Sequence, residues 1–490
     1  MYLVCEMRQW LKIILGPLLG GVVFVLLQNS VQNVDMAITG AVAVWMAAWW
    51  ITEAINIYFT ALIPITFLPF MGVISMKELA PAYMPDIIFF FIGGFLLAFS
   101  LEKWDLHKKI ALKLILVMGD SPKRMLFGFM FTSYFLSMWI LNTAVVMMLL
   151  PAALAVISHI GSNTKENVLA TPILLGIAYS ASIGGTATVI GTAPNLYFMD
   201  FFNQNFGSET PITFASWFLV GLPTSVVFFA ATYLVLVKKY LAKEIGVQVD
   251  MKFIKKEYKN LGKMTYEQWM IAFVFGFTVV LWFTAKDVSI GSLQFRGWTH
   301  LFPEPSHIKE STIAMLAAFA LFVIPAKHKK GHLLDWTAAK KIPIGVIFLF
   351  GGGFAIAKVI GLTGLSLWLG ESLAFVADYP PLLVVVCLTL FMTFFTELTS
   401  NTASTVLMLP ILLAIATNVD AHPMLIMMPV IMSASFAFML PVATPPNTIV
   451  YATEKLKMKD MASTGLILNL IGVAISSFFV LVWAKWVYGL

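Results

Sequence analysis

Residues 396–410, TELTSNTASTVLMLP, place a run of polar side chains inside an otherwise apolar segment. The same pattern occurs at residues 137–151, SMWILNTAVVMMLLP: a hydroxyl residue, Asn-Thr-Ala five positions later, and Leu-Pro at the end. The glycine motifs FIGGF at 91–95 and FGGGF at 350–354 are separated by the same offset of 259 residues. Two features with one offset indicate an internal repeat.

The repeat also separates a functional motif from a look-alike. Ser-Asn-Thr occurs at 400–402 and again at 162–164, but the second copy lies in a polar stretch that is typical of a loop. The offset pairs residues 400–402 with Leu141-Asn142-Thr143 instead. We therefore expect 162–164 to have no part in function.

The composition defines a polytopic membrane protein. Of 490 residues, 60% are hydrophobic and only 11% charged, and the mean hydropathy is +0.88. One soluble core cannot bury so much apolar surface. The short alternating segments of a β-barrel are absent from the sequence. The net charge of +6 lies in short loops between apolar spans, so we expect no nucleic-acid partner and membrane lipid around the chain.

We expect an all-α fold with eleven transmembrane helices and two re-entrant hairpins, at 125–158 and 382–418. Each hairpin segment has polar residues near its middle and a proline after them. With a cytoplasmic N-terminus, 25 of the 31 Lys and Arg residues fall in cytoplasmic loops, as the positive-inside rule requires. If either hairpin segment spanned the membrane, the loops after it would lie on the opposite side, and this charge asymmetry would degrade. The two repeats then have inverted topology, and the C-terminus lies outside.

A second matched element follows each hairpin, GTAPN at 191–195 and ATPPN at 443–447. Because proline removes a backbone donor, these runs predict broken helices within 168–203 and 423–453. Unsatisfied backbone groups are costly in a membrane, so the breaks should surround a polar site. Freed carbonyls can bind a cation, and half-helix N-termini can face an anion.

The matched hydroxyls, Ser137 and Thr396, precede Asn142 and Asn401 by five residues. Hydroxyl, amide and carbonyl oxygens suit a small alkali cation, so two pseudo-symmetric cation sites are predicted. The alternative is that both hydroxyls bond to carbonyls one turn earlier. The Asn-Thr side chains can also donate to an anion. With no Lys or Arg nearby, bound cations would balance its charge.

Other chemistry is less favoured. Glu397 could relay protons, but its repeat counterpart is Met138, so we favour a structural role bonded to the hairpin backbone. The seven histidines lie in or beside loops, and no paired acidic motif or nucleophile elbow occurs in a span. An enzyme is therefore not expected. A channel is an alternative, but inverted repeats with broken helices favour a transporter.

The motifs WWITEA (49–54), LEKWDLHKKIALKL (101–114), LSMWILNTA (136–144), TELTSNTA (396–403) and ATPPN (443–447) resemble the divalent anion/sodium symporter family, solute carrier family 13. This resemblance implies a homodimer in the plasma membrane, in which a transport domain moves against a scaffold as an elevator. The scaffold would comprise 1–124 and 266–378, and the transport domain 125–237 and 379–490, with a cytoplasmic loop at 238–265.

The resemblance also implies site residues. The first sodium site would use Ser137, the Leu141 carbonyl, Asn142 and Gly191, and the second Thr396, the Thr399 carbonyl, Asn401 and Ala443. The substrate would contact Asn142, Thr143, Thr192, Asn401, Thr402, Thr444 and Pro445. The chain departs from the family pattern at Leu141, normally Ser, and at Ala193, commonly Pro.

The resemblance implies sodium-coupled import of C4-dicarboxylates such as succinate, malate and fumarate. Some relatives exchange dicarboxylates without sodium, and Leu141 could mark that mode. Citrate and sulfate are also transported within the family. These three alternatives stay open at the level of sequence.

We expect Asn142→Ala and Asn401→Ala each to abolish transport, because each removes an oxygen ligand and a donor from the site. Asn163→Ala, in the look-alike tripeptide, should be near neutral. Uptake of labelled substrate by vesicles containing each variant measures this. Equal damage at Asn163 would show that the repeat alignment is wrong.

Overall fold

The computed structural model describes residues 2–119, 121–159, 166–207, 210–242, 252–290 and 293–490, and helices dominate these ranges. Within them, seven helices are long and apolar enough to cross a membrane. The tripeptide 162–164 lies outside the described residues. The described residues also include a small antiparallel pair, β1 (Val288–Ile290) and β2 (Leu293–Phe295), in the connection between two apolar helices, and an isolated antiparallel bridge between Pro325 and His332.

The helices of the first half fall into two groups. An N-terminal group packs mainly on itself and on elements of the second half, and a later group contains the first polar motif. The first group is α1 (Tyr2–Val31), α2 (Val34–Thr52), α3 (Ile57–Thr60), α4 (Ile63–Phe70), α5 (Met76–Leu79), α6 (Asp86–Lys103) and α7 (Leu106–Met118). The second is α8 (Pro122–Ser137), α9 (Asn142–His159), α10 (Glu166–Gly185), α11 (Ala193–Phe206) and α12 (Phe214–Tyr240).

The second half follows the same plan after a short helix. It contains α13 (Lys252–Asn260), α14 (Tyr266–Thr284), α15 (Glu310–Val323), α16 (Trp336–Ala339), α17 (Ile344–Leu362) and α18 (Leu365–Ser372). The group that contains the second polar motif is α19 (Pro381–Phe395), α20 (Asn401–Ala416), α21 (Pro423–Ser433), α22 (Pro445–Tyr451), α23 (Met458–Ala474) and α24 (Leu481–Tyr488). A π-helical turn, Ile475–Val480, joins the last two. Short 3₁₀ turns occupy Ala80–Tyr83, Trp298–Leu301, Pro305–His307 and Ala374–Asp378.

Each polar motif lies where one helix ends and the next begins. Helix α8 ends at Ser137 and α9 starts at Asn142, while α19 ends at Phe395 and α20 starts at Asn401. The short connections leave backbone groups at both tips without partners inside a helix. The tips are therefore the places where these segments can present polar atoms.

Both helices with a Thr-(Ala/Pro)-Pro-Asn run are broken, but not within that run. The breaks are residues 186–192 and 434–444, and the prolines occupy the first turn of α11 and α22. Thr192 and Thr444 have extended N-cap conformations. Proline suits the first turn of a helix because its missing N–H needs no partner there. The runs thus restart the helices rather than interrupt them.

The two repeats are packed against each other crosswise. Helix α11, which follows the first break, packs on α20 of the second repeat, and α22, which follows the second break, packs on α9 and α10 of the first. Helix α12 also contacts α23 and α24. The four segments that carry polar motifs thereby form one body.

Matched glycines mediate close packing of the other helices. A Cβ at Gly352 of α17 would lie 2.2 Å from the Ala61 carbonyl oxygen, and one at Gly93 of α6 would lie 2.7 Å from the Ala314 carbonyl carbon. Both contacts lie within the region expected to be the scaffold. Small residues allow such close backbone approach between helices in a membrane.

The following glycines face the body that carries the polar motifs. A Cβ at Gly353 would lie 2.5 Å from the Tyr197 hydroxyl and 2.3 Å from a Val406 methyl, and one at Gly94 would lie 3.6 Å from Ile190. Equivalent positions of the two repeats therefore line the same interface.

We expect Gly352→Ala to destabilise the fold by about 1–3 kcal/mol, because the new methyl group overlaps the Ala61 carbonyl. The matched control is Gly361→Ala on the same helix, where nothing lies within 4 Å of a Cβ. Thermal unfolding of both purified variants in detergent measures the difference. Equal melting temperatures would contradict the packing.

Candidate functional site

At the second polar motif, three oxygen atoms converge with too few protons to bond one another. The Thr396 Oγ1 atom lies 2.8 Å from Asn401 Oδ1 and 2.9 Å from the Ala434 carbonyl oxygen. A hydroxyl has one proton and can satisfy only one of these acceptors fully. Both Thr396 and Ala434 are fully buried. A cation bound at this cluster would relieve the repulsion between the remaining lone pairs.

At the first motif the hydroxyl also contacts the side-chain oxygen of the following Asn. Ser137 Oγ lies 2.7 Å from Asn142 Oδ1. A Cβ at Gly185 would lie 2.9 Å from Asn142 Oδ1 and 3.2 Å from the Gly191 carbonyl oxygen, so both oxygens border the space that the glycine leaves open. The structure thus places Ser137 and Gly191 beside Asn142, and a cation site at these residues stays a prediction.

Contacts of the hydroxyls argue against the alternative of local back-bonding. Thr396 donates to Ala434, which is 38 residues away, and both Ser137 and Thr396 contact the Asn that begins the next helix. Thr399, by contrast, does bond back to the Phe395 carbonyl one turn earlier, at 3.1 Å. Its side chain is therefore occupied, and only its carbonyl would be available as a ligand.

An asparagine side chain donates hydrogen bonds to carbonyls at each helix break, a role that the sequence did not reveal. Asn195 Nδ2 donates to the Gly185 and Thr188 carbonyls at 3.0 and 2.8 Å. Asn447 Nδ2 donates to the Ala437 and Leu440 carbonyls at 2.9 and 3.1 Å. The sequence signal that could have revealed this role was the Asn that ends each of the matched runs GTAPN and ATPPN. These bonds satisfy carbonyls freed by the breaks and keep the unwound segments in one shape.

Glu397 binds the second break rather than the hairpin backbone, so that detail of the prediction was wrong. Its Oε1 atom accepts from the Phe438 and Met439 amides at 2.7 and 2.8 Å, and from Asn469 Nδ2 at 2.8 Å. Its Oε2 atom accepts from the Leu440 amide at 3.1 Å. Its structural role follows from the unwinding, since three N–H groups freed from a helix need an acceptor.

The first break uses a hydroxyl for the same purpose. Thr188 Oγ1 donates to the Met138 carbonyl at 2.5 Å and accepts from the Gly191 amide at 3.1 Å. Met138 is the counterpart of Glu397 in the repeat. In both repeats, hydrogen bonds therefore connect the hairpin tip to the break. The first repeat uses the Thr188 hydroxyl and the Met138 carbonyl, and the second uses the side chain of Glu397.

Leu141 directs its side chain away from the oxygen cluster. The side chain is 44% exposed and lines a crevice with Phe91 and Phe95 of α6 and with Ile190. Its carbonyl accepts the Val145 amide at 3.1 Å, the first hydrogen bond of α9. A carbonyl has a second lone pair, so the Leu side chain does not exclude this oxygen as a ligand.

The expected substrate residues are accessible in different degrees. Asn142, Thr143, Asn401, Thr402 and Thr192 are half-buried, Pro445 is exposed, and Thr444 is buried with its Oγ1 accepting from the Asn447 amide at 3.4 Å. Within the described ranges, the Nδ2 atoms of Asn142 and Asn401 form no hydrogen bond.

Helix termini add to these donors. Helices α9 and α20 begin at Asn142 and Asn401, so their first-turn amides lie at the two tips. N-terminal amides carry partial positive charge and favour an anion. The contacts on the Asn oxygens therefore leave the Nδ2 donors and the helix ends for an anionic ligand. Ala443, the remaining residue predicted for the second cation site, is buried, and its amide donates to the Leu440 carbonyl at 3.3 Å.

Paired helix breaks beside paired polar tips, in a chain of apolar helices, define a membrane transport protein and not an enzyme. A family model described as "Sodium:sulfate symporter transmembrane region" matches residues 7–490. The chain belongs to this family, and the family resemblance of its motifs is confirmed.

Similar proteins agree with this assignment. The chain is 40% identical over 483 residues to a sodium-dependent dicarboxylate transporter, SdcS, of Staphylococcus saprophyticus, covering 95% of this chain and 90% of the relative. It is 39% identical over 487 residues to SdcS of Staphylococcus aureus strain RF122, covering 95% and 89%. The crystal structure of the Alcanivorax borkumensis YdaH transporter has a similar fold, with a TM-score of 0.55 over 85% of this chain and 88% of that one, at 10% identity.

We expect Thr396→Val to reduce transport at least tenfold, because it keeps the side-chain volume but removes the oxygen that links Asn401 and Ala434. Thr393→Val is the control, since that buried hydroxyl bonds only the Thr389 carbonyl one turn earlier. Initial uptake rates, normalised to protein in the membrane, make the comparison. Similar rates for the two variants would contradict a role for the oxygen cluster.

Proposed function

We propose that the chain imports C4-dicarboxylates, such as succinate, malate and fumarate, together with sodium ions. The observation that carries this proposal is that oxygen atoms able to bind a cation lie beside each Asn-Thr donor pair. They are the Thr396, Asn401 and Ala434 oxygens at the second motif and the Ser137 and Asn142 oxygens at the first. Relatives at 39–40% identity are named sodium-dependent dicarboxylate transporters, which supports the same substrate and ion.

The number of donor pairs favours a dicarboxylate. Asn142-Thr143 and Asn401-Thr402 occupy equivalent positions of two inverted repeats. A substrate with one anionic group at each end can engage both pairs at once, whereas sulfate has a single anionic centre. Thr192, Thr444 and Pro445 of the breaks would complete the contacts. Sulfate, which the family description names, and citrate are the other candidate anions.

Charge balance explains why the ions would be coupled to the substrate. In the described ranges no Lys or Arg lies at the two tips or in the two breaks. A dianion held only by neutral donors in a low-dielectric site is costly unless cations bind nearby. At least two sodium ions, one at Ser137, Leu141, Asn142 and Gly191 and one at Thr396, Thr399, Asn401 and Ala443, would offset this cost.

The packing supports a division into a transport domain, 125–237 with 379–490, and a scaffold, 1–124 with 266–378. The crosswise contacts of α11 with α20 and of α22 with α9 join the transport segments. Contacts of α6 with α15 and of α2 with α17 join the scaffold segments. Gly94 and Gly353 offer small surfaces between the two bodies. We propose that the transport domain slides along this interface as an elevator.

The membrane arrangement belongs to the same proposal. Residues 142–158 and 401–416 are among the shorter apolar helices of the described ranges, and short apolar helices are compatible with re-entrant hairpins. Eleven spans, a cytoplasmic N-terminus, an external C-terminus, a homodimer and residence in the plasma membrane stay predictions of the family resemblance and of the loop charges.

Uptake of labelled succinate into proteoliposomes tests the coupling. We expect an inward sodium gradient to drive uptake into vesicles that contain no dicarboxylate, because the cations compensate the bound dianion. Replacing sodium by choline should reduce uptake to the level of protein-free vesicles. Unlabelled malate, citrate and sulfate as competitors rank the substrates.

The same vesicles distinguish the runner-up, sodium-independent exchange, for which Leu141 is the one sequence observation. Uptake that does not depend on sodium and that requires internal dicarboxylate would overturn the symport proposal. Uptake that depends on sodium and proceeds from empty vesicles would overturn exchange.

A further inference from the structure

We propose that the buried hydroxyl of Tyr197 weakens the contact between the transport domain and the scaffold, so that the transport domain can leave the position that it has in this structure. This inference rests on the proposed function, because it requires the elevator movement. Tyr197 is a positioning residue in this scheme: it acts on the position of the transport domain and not on an ion or a substrate.

The ring of Tyr197 packs on two phenylalanines of the scaffold. Tyr197 belongs to α11, whereas Phe350 and Phe354 belong to α17. The Tyr197 ring centroid lies 4.4 Å from that of Phe354, at an interplanar angle of 27°, and 5.6 Å from that of Phe350. All three side chains are buried. Aromatic pairs add stability beyond the area that they bury, so the ring favours this arrangement, which we call the docked position.

Gly353 gives the tip of the ring its space. A Cβ at Gly353 would lie 2.5 Å from the Tyr197 hydroxyl oxygen and 3.1 Å from the Tyr197 Cζ atom. Such distances are too short for ordinary van der Waals contact. Only glycine therefore lets the hydroxyl of Tyr197 lie directly against the backbone of α17.

The hydroxyl of Tyr197 opposes the contact that its ring makes. Among the described residues it has no hydrogen-bond partner, and its oxygen is too enclosed for a water molecule to reach it. A buried polar group that lacks a partner costs the free energy of its desolvation. Any movement that brings this hydroxyl to a partner or to water recovers that free energy. The docked position is thus less stable than the packing of the rings alone would make it.

A neighbouring contact inside the scaffold shows the contrast. Gly351 lies two residues before Gly353 on α17, and a Cβ there would lie 2.5 Å from Cδ1 of Tyr83. The Tyr83 hydroxyl donates to the Ala61 carbonyl at 2.7 Å. Two tyrosines therefore pack on glycines of one helix, and the hydroxyl without a partner is the one between the two bodies. This difference is the one expected between a permanent contact and a contact that has to open.

Tyr197→Phe tests the inference, because it keeps the ring and removes the hydroxyl. We expect the ratio of docked to displaced molecules to rise about 5–30-fold, the factor that corresponds to relief of one unpaired buried hydroxyl. The melting temperature in detergent should also rise, by about 1–4 °C. A hydroxyl with an ordinary structural role would give the opposite sign, since its removal would lower the melting temperature.

Single-molecule fluorescence energy transfer in proteoliposomes measures the ratio. Dyes are attached to Asn205→Cys, at the end of α11, and to Leu301→Cys in the scaffold, after Cys5 and Cys387 are replaced by Ser. Both labelled positions are exposed. The distance distribution is recorded in choline chloride and in sodium chloride with succinate. An unchanged ratio in Tyr197→Phe would overturn the inference.

Tyr83→Phe is the matched control, because it removes a hydroxyl that has a partner inside the scaffold. We expect a lower melting temperature, since the Ala61 carbonyl loses its donor, and an unchanged ratio of docked to displaced molecules. If Tyr83→Phe and Tyr197→Phe both lowered the melting temperature and left the ratio unchanged, the two hydroxyls would have the same structural role, and the inference would be wrong.

Gly353→Ala tests the same contact from the scaffold side. We expect it to increase the displaced population, because the new methyl group overlaps the Tyr197 hydroxyl and lies 2.3 Å from a Val406 methyl group. Adding Tyr197→Phe should then shift the ratio toward the docked position by more than it does beside Gly353, since it also removes part of the overlap. An equal shift in the two backgrounds would contradict the contact on which the inference depends.

Failure of the proposed function has a different signature. A single distance in every variant and every solution, in vesicles that still take up succinate, would contradict the elevator movement and this inference with it. Two distances whose ratio Tyr197→Phe does not change would contradict only the role of Tyr197. Two distances without sodium-dependent uptake of succinate would contradict the proposed substrate or coupling and leave the movement intact.

Discussion

Satisfying the backbone groups of two broken helices inside an apolar protein is the constraint on which the rest of the structure depends. Each unsatisfied N–H or C=O in the hydrocarbon region costs several kcal/mol. Asn195 and Asn447 bond the freed carbonyls, and Thr188 and Glu397 bond the freed amides. Once these bonds hold the breaks in one shape, the carbonyls that remain, such as those of Ala434 and Gly191, can converge with the hydroxyl and amide oxygens of the hairpin tips.

The internal repeat explains why polar atoms from distant parts of the chain meet. The helix after each break packs against the hairpin helix of the other repeat, so the two Asn-Thr tips belong to one body. Gly94 and Gly353, at equivalent positions of the repeats, face that body.

The symmetry is incomplete, and the differences are chemical. One repeat ties its break to the hairpin with a threonine hydroxyl, and the other uses a carboxylate with an extra turn unwound. Gly185 leaves space beside Asn142, whereas its counterpart is Ala437. Leu141 turns to an apolar crevice beside α6 and contributes only its carbonyl to the tip. The two polar motifs therefore differ in their chemistry although they repeat in sequence.

The sequence by itself determined the membrane class, the helical fold, the repeat and the pairing of Asn142 with Asn401, because apolar periodicity and motif spacing are local properties of the chain. It also located both helix breaks, although it did not show that proline begins the second half-helix. Only the tertiary structure decided which atoms meet: that Thr396 contacts the Ala434 carbonyl, that Glu397 binds the second break and Asn469, and that Leu141 faces α6. These contacts join residues up to 72 positions apart. They depend on how helices pack and on which freed backbone groups remain unpaired, and neither can be deduced from the order of residues within one segment.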